Sequence, residues 1–127
     1  LRSDYVKELP LSSTPMQQKY DSELLDGIIN YVNENIYSPI TIEELCEKFS
    51  LSRSTLQILF KNNLEVAPKQ YISDLKLAKA KQLIKESSHT ISEIATICGF
   101  GSIHYFSRKF KATFGITPTD YAKSFTN

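Results

Sequence analysis

Ten of the fifteen basic side chains in this 127-residue sequence fall between positions 51 and 111: Arg53, Lys61, Lys69, Lys76, Lys79, Lys81, Lys85, Arg108, Lys109 and Lys111. Only Glu65, Asp74, Glu86 and Glu93 oppose them, so that segment is net +6 although the whole chain is +1 at pH 7. Residues 1–40 run the other way, with three Lys or Arg against six Asp or Glu. A basic stretch attracts phosphate through Coulomb forces and counterion release; a solvated helical surface is the other use of the same composition. Among the cations stand side chains able to make paired hydrogen bonds. Gln57 matches the edge of an adenine and Arg108 that of a guanine, each pairing contributing about 1–3 kcal/mol of discrimination.

Catalytic and metal chemistry find no comparable set. No Ser, His and acid constellation, carboxylate pair or phosphate-cradling glycine loop is present. Cys46, Cys98, His89 and His104 are the available soft ligands, and no pair of them has the short loop or i, i+4 spacing that preorganises a metal site. We therefore expect no enzyme, no metal and no cofactor. Each cysteine lies in a stretch of helical periodicity that needs a small apolar side chain, so both are expected as buried, reduced thiols.

The elements that must carry these side chains are helical. Leu24, Leu25, Ile28, Ile29, Val32 and Ile36 form one apolar stripe, which Ser38-Pro39 should end. Residues 1–20 look like a linker or tail, and 21–127 like one domain. Thr41 and Glu44 have capping-box spacing, with Thr41 accepting from the Glu44 amide and the Glu44 side chain reaching back, and a short helix to about Phe49 follows. Ser52 caps the next helix, on which Leu56, Leu59, Phe60 and Leu64 point one way while Arg53, Ser54, Gln57, Ile58 and Lys61 point the other. Pro68 suits the first turn of a longer helix to about Glu86, roughly 27 Å in length, carrying Ile72, Leu75, Leu77, Ala80, Leu83 and Ile84.

The sequence also repeats itself. At a spacing of 49, Thr41, Ile42 and Glu44 align with Thr90, Ile91 and Glu93. At a spacing of 50, Ser52, Phe60, Lys61, Pro68 and Tyr71 meet Ser102, Phe110, Lys111, Pro118 and Tyr121, while Leu56 and Leu64 meet Phe106 and Phe114. The extra residue falls at the turn, where Phe49-Ser50-Leu51 becomes Cys98-Gly99-Phe100-Gly101, and turns tolerate such insertions. Each copy is a capped helix, a turn, a second helix and a Pro-initiated helix, which is helix-turn-helix anatomy. The outward faces of both second helices carry donors and cations and no Glu or Asp, which favours a groove-reading role over a bundle that uses the repeat only for packing. A protein-docking helical module is the rival; it requires an exposed apolar patch where a DNA reader requires a basic one.

Gly99-Phe100-Gly101-Ser102-Ile103-His104-Tyr105-Phe106-Ser107-Arg108-Lys109-Phe110-Lys111, followed by Phe114-Gly115-Ile116-Thr117-Pro118 and Tyr121, closely resembles the signature of the AraC family. The first copy matches less tightly, through Ser52 to Gln57 and Phe60-Lys61, and the resemblance covers residues 24–125. It implies an all-α domain of about seven helices: two helix-turn-helix units, at about 41–66 and 90–116, joined by one long connecting helix at about 68–86. It implies sequence-specific binding of double-stranded DNA in transcription regulation, with each unit placing a helix in successive major grooves. Carried onto this sequence, the base-facing positions are Arg53, Ser54, Gln57 and Ile58 in the first unit and Ile103, His104, Ser107 and Arg108 in the second. Ser52, Lys61, Thr90, Ser102 and Lys111 would hold phosphates. Two positions depart from the family pattern, Lys76 where Arg is frequent and Ala122 where a basic residue is common, and both reduce the phosphate contacts expected rather than alter the groove face.

Ile58 and Ile103 are apolar on otherwise polar faces. A thymine methyl or burial against a neighbouring helix would account for them. His104 suits a base or phosphate, and Tyr105 suits packing beside Phe106. No run approaches the length of a membrane span and the N-terminus lacks a secretory pattern, so a soluble, cytoplasmic protein is expected, and the resemblance implies a bacterial one. The first residue is Leu1 rather than Met, so a longer parent is expected, and the resemblance implies an upstream effector-binding or dimerisation domain, with RNA polymerase as a further partner.

Overall fold

The computed structural model describes residues 14–125, and among these every regular element is a helix. Helix α1 spans Pro15–Glu34, α2 Ile42–Phe49, α3 Arg53–Leu64, α4 Pro68–Glu86, α5 Ile91–Ile97, α6 Ile103–Phe114 and α7 Pro118–Lys123. The all-α, two-unit architecture with a long connecting helix is the one expected.

The boundaries follow from local chemistry. Thr41, Ser52, Thr90, Ser102 and Thr117 each accept a hydrogen bond from the backbone amide three residues on, and Pro68 and Pro118 occupy first-turn positions where a missing N–H costs nothing. The start of α1 differs from the expectation. Thr14 caps it and Pro15 opens it, so the helix takes in six residues of the stretch assigned to a tail. Its first turns expose Met16 and Tyr20 and bury nothing, so the apolar stripe that begins at Leu24 could not reveal them, although the Thr-Pro pair could. The remainder of the expected tail, residues 1–13, lies outside the described residues. At the other end α1 stops at Glu34, and Ile36 is buried from the following turn rather than from the helix.

Two cores form. Leu25, Ile28, Val32, Leu45, Leu56 and Phe60 anchor the first, with Ile72 from α4. Leu77, Ala80, Ile94, Phe106 and Phe110 anchor the second, so α4 changes core between Leu75 and Leu77. In the second core the rings of Phe106, Phe114 and Tyr121 surround Phe110 at centroid distances of 5.7, 4.7 and 5.9 Å.

The helix-turn-helix turns close alike. Leu51 N donates to Cys46 O and Phe100 N to Ala95 O, both at 2.9 Å, and the left-handed position is Ser50 in one unit and Gly99 in the other. The residue inserted in the second unit is therefore Gly101, placed between the buried Phe100 and the cap Ser102 at φ 80°, a conformation that favours glycine.

Candidate nucleic-acid interface

Helices α3 and α6 are each 12 residues long and present the same five positions to solvent. Burial of Leu56 and Phe60 on α3, and of Phe106 and Phe110 on α6, turns the opposite faces outward. On α3, Arg53, Gln57 and Lys61 make one i, i+4 row and Ser54 and Ile58 the next, and all five are exposed. On α6 the matching rows are Ile103, Ser107 and Lys111, then His104 and Arg108; Ser107 is half-buried and the others are exposed. Every predicted base-facing residue thus falls on an outward recognition-helix face. The order of chemistry is exchanged between the units: a cation at 53 and an apolar side chain at 58 become an apolar side chain at 103 and a cation at 108.

Ile58 is 59% exposed and Ile103 38%, so neither is accounted for by burial against a neighbouring helix. Tyr105 is 43% exposed and tilts against Phe100 at 6.3 Å, rather than packing beside Phe106.

The helix starts differ in charge. The first turns of α3 and α6 contain no acid, whereas α2 has Glu43 and Glu44, α5 has Glu93 and α7 has Asp120. The positive ends of the α3 and α6 dipoles are therefore not offset from within their own first turns. Ser52 accepts from Thr55 N at 3.1 Å and Ser102 from Tyr105 N at 3.0 Å. At α5 the capping box is complete: Thr90 accepts from Glu93 N at 3.1 Å, and Thr90 N donates to the Glu93 carboxylate at 2.8 Å. That donation holds the Glu93 carboxyl below the usual range and occupies the Thr90 amide. In the first unit only half of the expected box forms. Thr41 accepts from Glu44 N at 3.0 Å, but the Glu44 carboxylate accepts from the Tyr31 hydroxyl of α1 instead of reaching back.

Three features of the basic inventory came only with the fold. The Arg53 guanidinium donates to Glu43, whose carboxyl it holds below the usual range, and both side chains remain largely exposed. The helix-turn-helix turn brings these two residues together, and Glu43 was not singled out in the sequence. Lys81 Nζ lies over the Phe114 ring at 4.4 Å and the Tyr121 ring at 5.4 Å, covering the second core. Lys76, counted among the cations of the basic segment, is buried at 8% exposure, and its Nζ donates to Ile36 O at 2.5 Å and Ser38 O at 3.0 Å. Burial lowers its pKa. Cys98 is buried and its thiol pKa raised by that burial, while Cys46 is only half-buried beside the first core; both are free.

No helix among the described residues is long and apolar enough to cross a membrane, and no group of three or more His, Cys, Asp or Glu among them could hold a metal ion.

Comparison with known proteins agrees with this anatomy. A family model described as a helix-turn-helix domain matches residues 45–124. The HTH-type transcriptional activator RhaR of Pectobacterium carotovorum is 34% identical over 110 residues, covering 87% of this chain and 39% of that protein. The HTH-type transcriptional regulator GbdR of Pseudomonas aeruginosa is 38% identical over 96 residues, covering 76% of this chain and 26% of that protein. The chain therefore spans well under half the length of these curated relatives. The crystal structure of an AraC-type DNA-binding transcriptional regulator from Chromobacterium violaceum superposes with a TM-score of 0.78 at 28% identity, covering 86% of this chain and 97% of that one. With two capped helix-turn-helix units on one connecting helix and these relatives across most of its length, the chain belongs to the AraC family of helix-turn-helix transcription regulators.

Proposed function

We propose that this chain binds double-stranded DNA sequence-specifically and serves transcription regulation, with α3 and α6 as the two reading helices set in successive major grooves. The observation that carries this reading is the outward face present twice, at 53, 54, 57, 58 and 61 and again at 103, 104, 107, 108 and 111, with no acid in either helix. Arg53, Ser54, Gln57 and Ile58 contact bases in one groove, and Ile103, His104, Ser107 and Arg108 in the next. Lys61, Lys111 and the capped ends at Ser52 and Ser102 hold phosphates, and at Thr90, whose amide is taken by Glu93, the hydroxyl alone is left to donate to one. Because the cation and the apolar side chain exchange places between the faces, the two half-sites differ in sequence, and the bound site is asymmetric.

The reading puts the protein in a bacterial cytoplasm. It assigns effector response or dimerisation to an upstream domain of a longer protein and transcriptional output to contact with RNA polymerase; the greater length of the curated relatives supports the longer protein alone.

Selection of bound duplexes from a random library with this chain should return a site with two preferred blocks about ten base pairs apart. Inserting about five base pairs between the blocks carries the second groove to the opposite face and should reduce affinity toward that of one unit, while about ten should restore much of it. A selection that returns one block, or affinity indifferent to the insertion, would show that only one helix reads DNA.

A further inference from the structure

Lys76 sits where α4 leaves the first core and enters the second: Leu75 packs on the first and Leu77 is buried in the other. Its ammonium lies within the protein, bonded to the carbonyls of Ile36 and Ser38 in the turn that follows α1. The turn that carries them is anchored to the first core by the buried Ile36. On its other side is the second unit's turn, close enough that a Cβ on Gly99 would stand 3.6 Å from Nζ. Tyr37, between the two accepting residues, is half-exposed, and its hydroxyl pKa is raised by partial desolvation and by the charges of Cys98 and Glu86.

A buried ammonium is a poor choice if the joint needs only cohesion. Taking a charge out of water is costly, and an apolar side chain of similar volume at such a place is often neutral or stabilising. Carbonyl hydrogen bonds supply direction as well, since they hold only over a narrow range of angles. Without them the first unit grips only the N-terminal half of α4, and helices bend.

We propose that Lys76 is a positioning residue for two-site DNA recognition: by pinning the 36–38 turn to the middle of α4 beside the Gly99 turn, it fixes the orientation of α3 relative to α6. This rests on the reading that both helices contact one duplex.

The test uses the 127-residue chain and a duplex selected with it from a random library. Lys76→Met removes the donors and keeps the length and apolar stem, whereas Lys76→Arg keeps charge and donors. Two linked sites gain roughly a hundredfold or more when their spacing is right. Lys76→Met should bind the selected duplex roughly tenfold more weakly and shrink the penalty of a five-base-pair insertion from roughly a hundredfold to about tenfold, with Lys76→Arg restoring most of both. A second measurement needs no DNA. Nitroxides at Asn62→Cys and Ala112→Cys, both exposed positions, in a Cys46→Ser background should give one narrow distance distribution with Lys76 or Arg and a broad one with Met. If Lys76→Met does not fold, Lys76→Leu, shorter and likewise without donors, takes its place in both arms.

A variant that melts lower but keeps the parent's insertion penalty and a narrow distance distribution would overturn the proposal and leave Lys76 a merely structural residue. If the parent chain itself is indifferent to the insertion, the two-groove reading fails, and the distance distribution alone decides whether Lys76 sets the orientation.

Discussion

Arg108 and Lys111 stand three residues apart on α6, both exposed, and their chemistry predicts different consequences of removal. A guanidinium bridging two acceptors on a guanine edge specifies a base, whereas an ammonium on a phosphate only positions the protein. Arg108→Ala should cost about 1–3 kcal/mol on the selected duplex, with relaxed preference at one position. Lys111→Ala should weaken cognate and random duplexes alike and reduce the salt slope by about 1. Competition titrations against both kinds of duplex separate these outcomes, and equal effects of the two changes would remove the role assigned to Arg108. The caps supply a pH prediction. Glu93 is held below its ordinary value of 4.5 by the Thr90 amide, so as pH falls the unfolded chain takes up that proton first. The capping stability is then complete above about 4.5 and lost as pH falls through the lowered folded value. Thermal melts from about pH 6 to about pH 3 should fall more steeply for the parent chain than for Glu93→Gln. Parallel slopes would mean that other carboxyls carry the acid limb.

At the scale of the helix, the two units are separate bodies of packing built to one plan, and this makes their stabilities separable. Phe110 is fully buried among Phe106, Phe114 and Tyr121, as Phe60 is in the first core beside Tyr71 at 5.6 Å. Truncating a buried Phe to Ala costs about 3–5 kcal/mol, a large share of the roughly 5–15 kcal/mol that holds most domains folded. Phe110→Ala should therefore strip hydrogen-exchange protection from α5, α6, α7 and the second half of α4 while α1, α2 and α3 keep most of theirs. Equal loss across all seven helices would show a single cooperative unit. The capping residues matter differently: they set where α3 and α6 start and so which side chains lead into a groove.

Taken whole, the molecule carries a net charge of only +1, and its affinity for a polyanion rests on where the charge is placed. Not every basic residue of the central segment is available. Lys76 is buried and Lys81 lies over two aromatic rings, whereas Arg53, paired with Glu43 at an exposed site, can leave that pair for a base. Lys61 and Lys111 are exposed on equivalent corners of the two recognition helices. Each phosphate neutralised contributes a slope of about −0.9 in log affinity against log salt, so these two alone give about −2, and the amide ends of α3 and α6 add to it. Binding measured between about 50 and about 200 mM salt should follow a line at least that steep. A flat response would contradict a phosphate-anchored interface.

Most of the element boundaries were legible without the fold, because a helix start is a local event. A Ser or Thr hydroxyl meeting an amide three residues on, or a proline at a first turn, announces itself in four consecutive residues, and so α2, α3, α4, α5, α6 and α7 could be anticipated from caps and from the repeat. The outward faces were legible too, since alternating burial at helical spacing follows from Leu56 and Phe60, or Phe106 and Phe110, without knowledge of their partners. The exposure of Ile58, the engagement of Arg53 by Glu43, the diversion of Glu44 to Tyr31 and the burial of Lys76 were decided only in three dimensions. The last joins residues 40 and 38 positions apart, and the Tyr31–Glu44 pair joins residues 13 apart. Nothing in the residues next to a lysine says whether its ammonium will meet water, a phosphate or two carbonyls of a distant turn. That choice is made when the chain closes and the cost of removing a charge from water is set against the directed hydrogen bonds waiting for it.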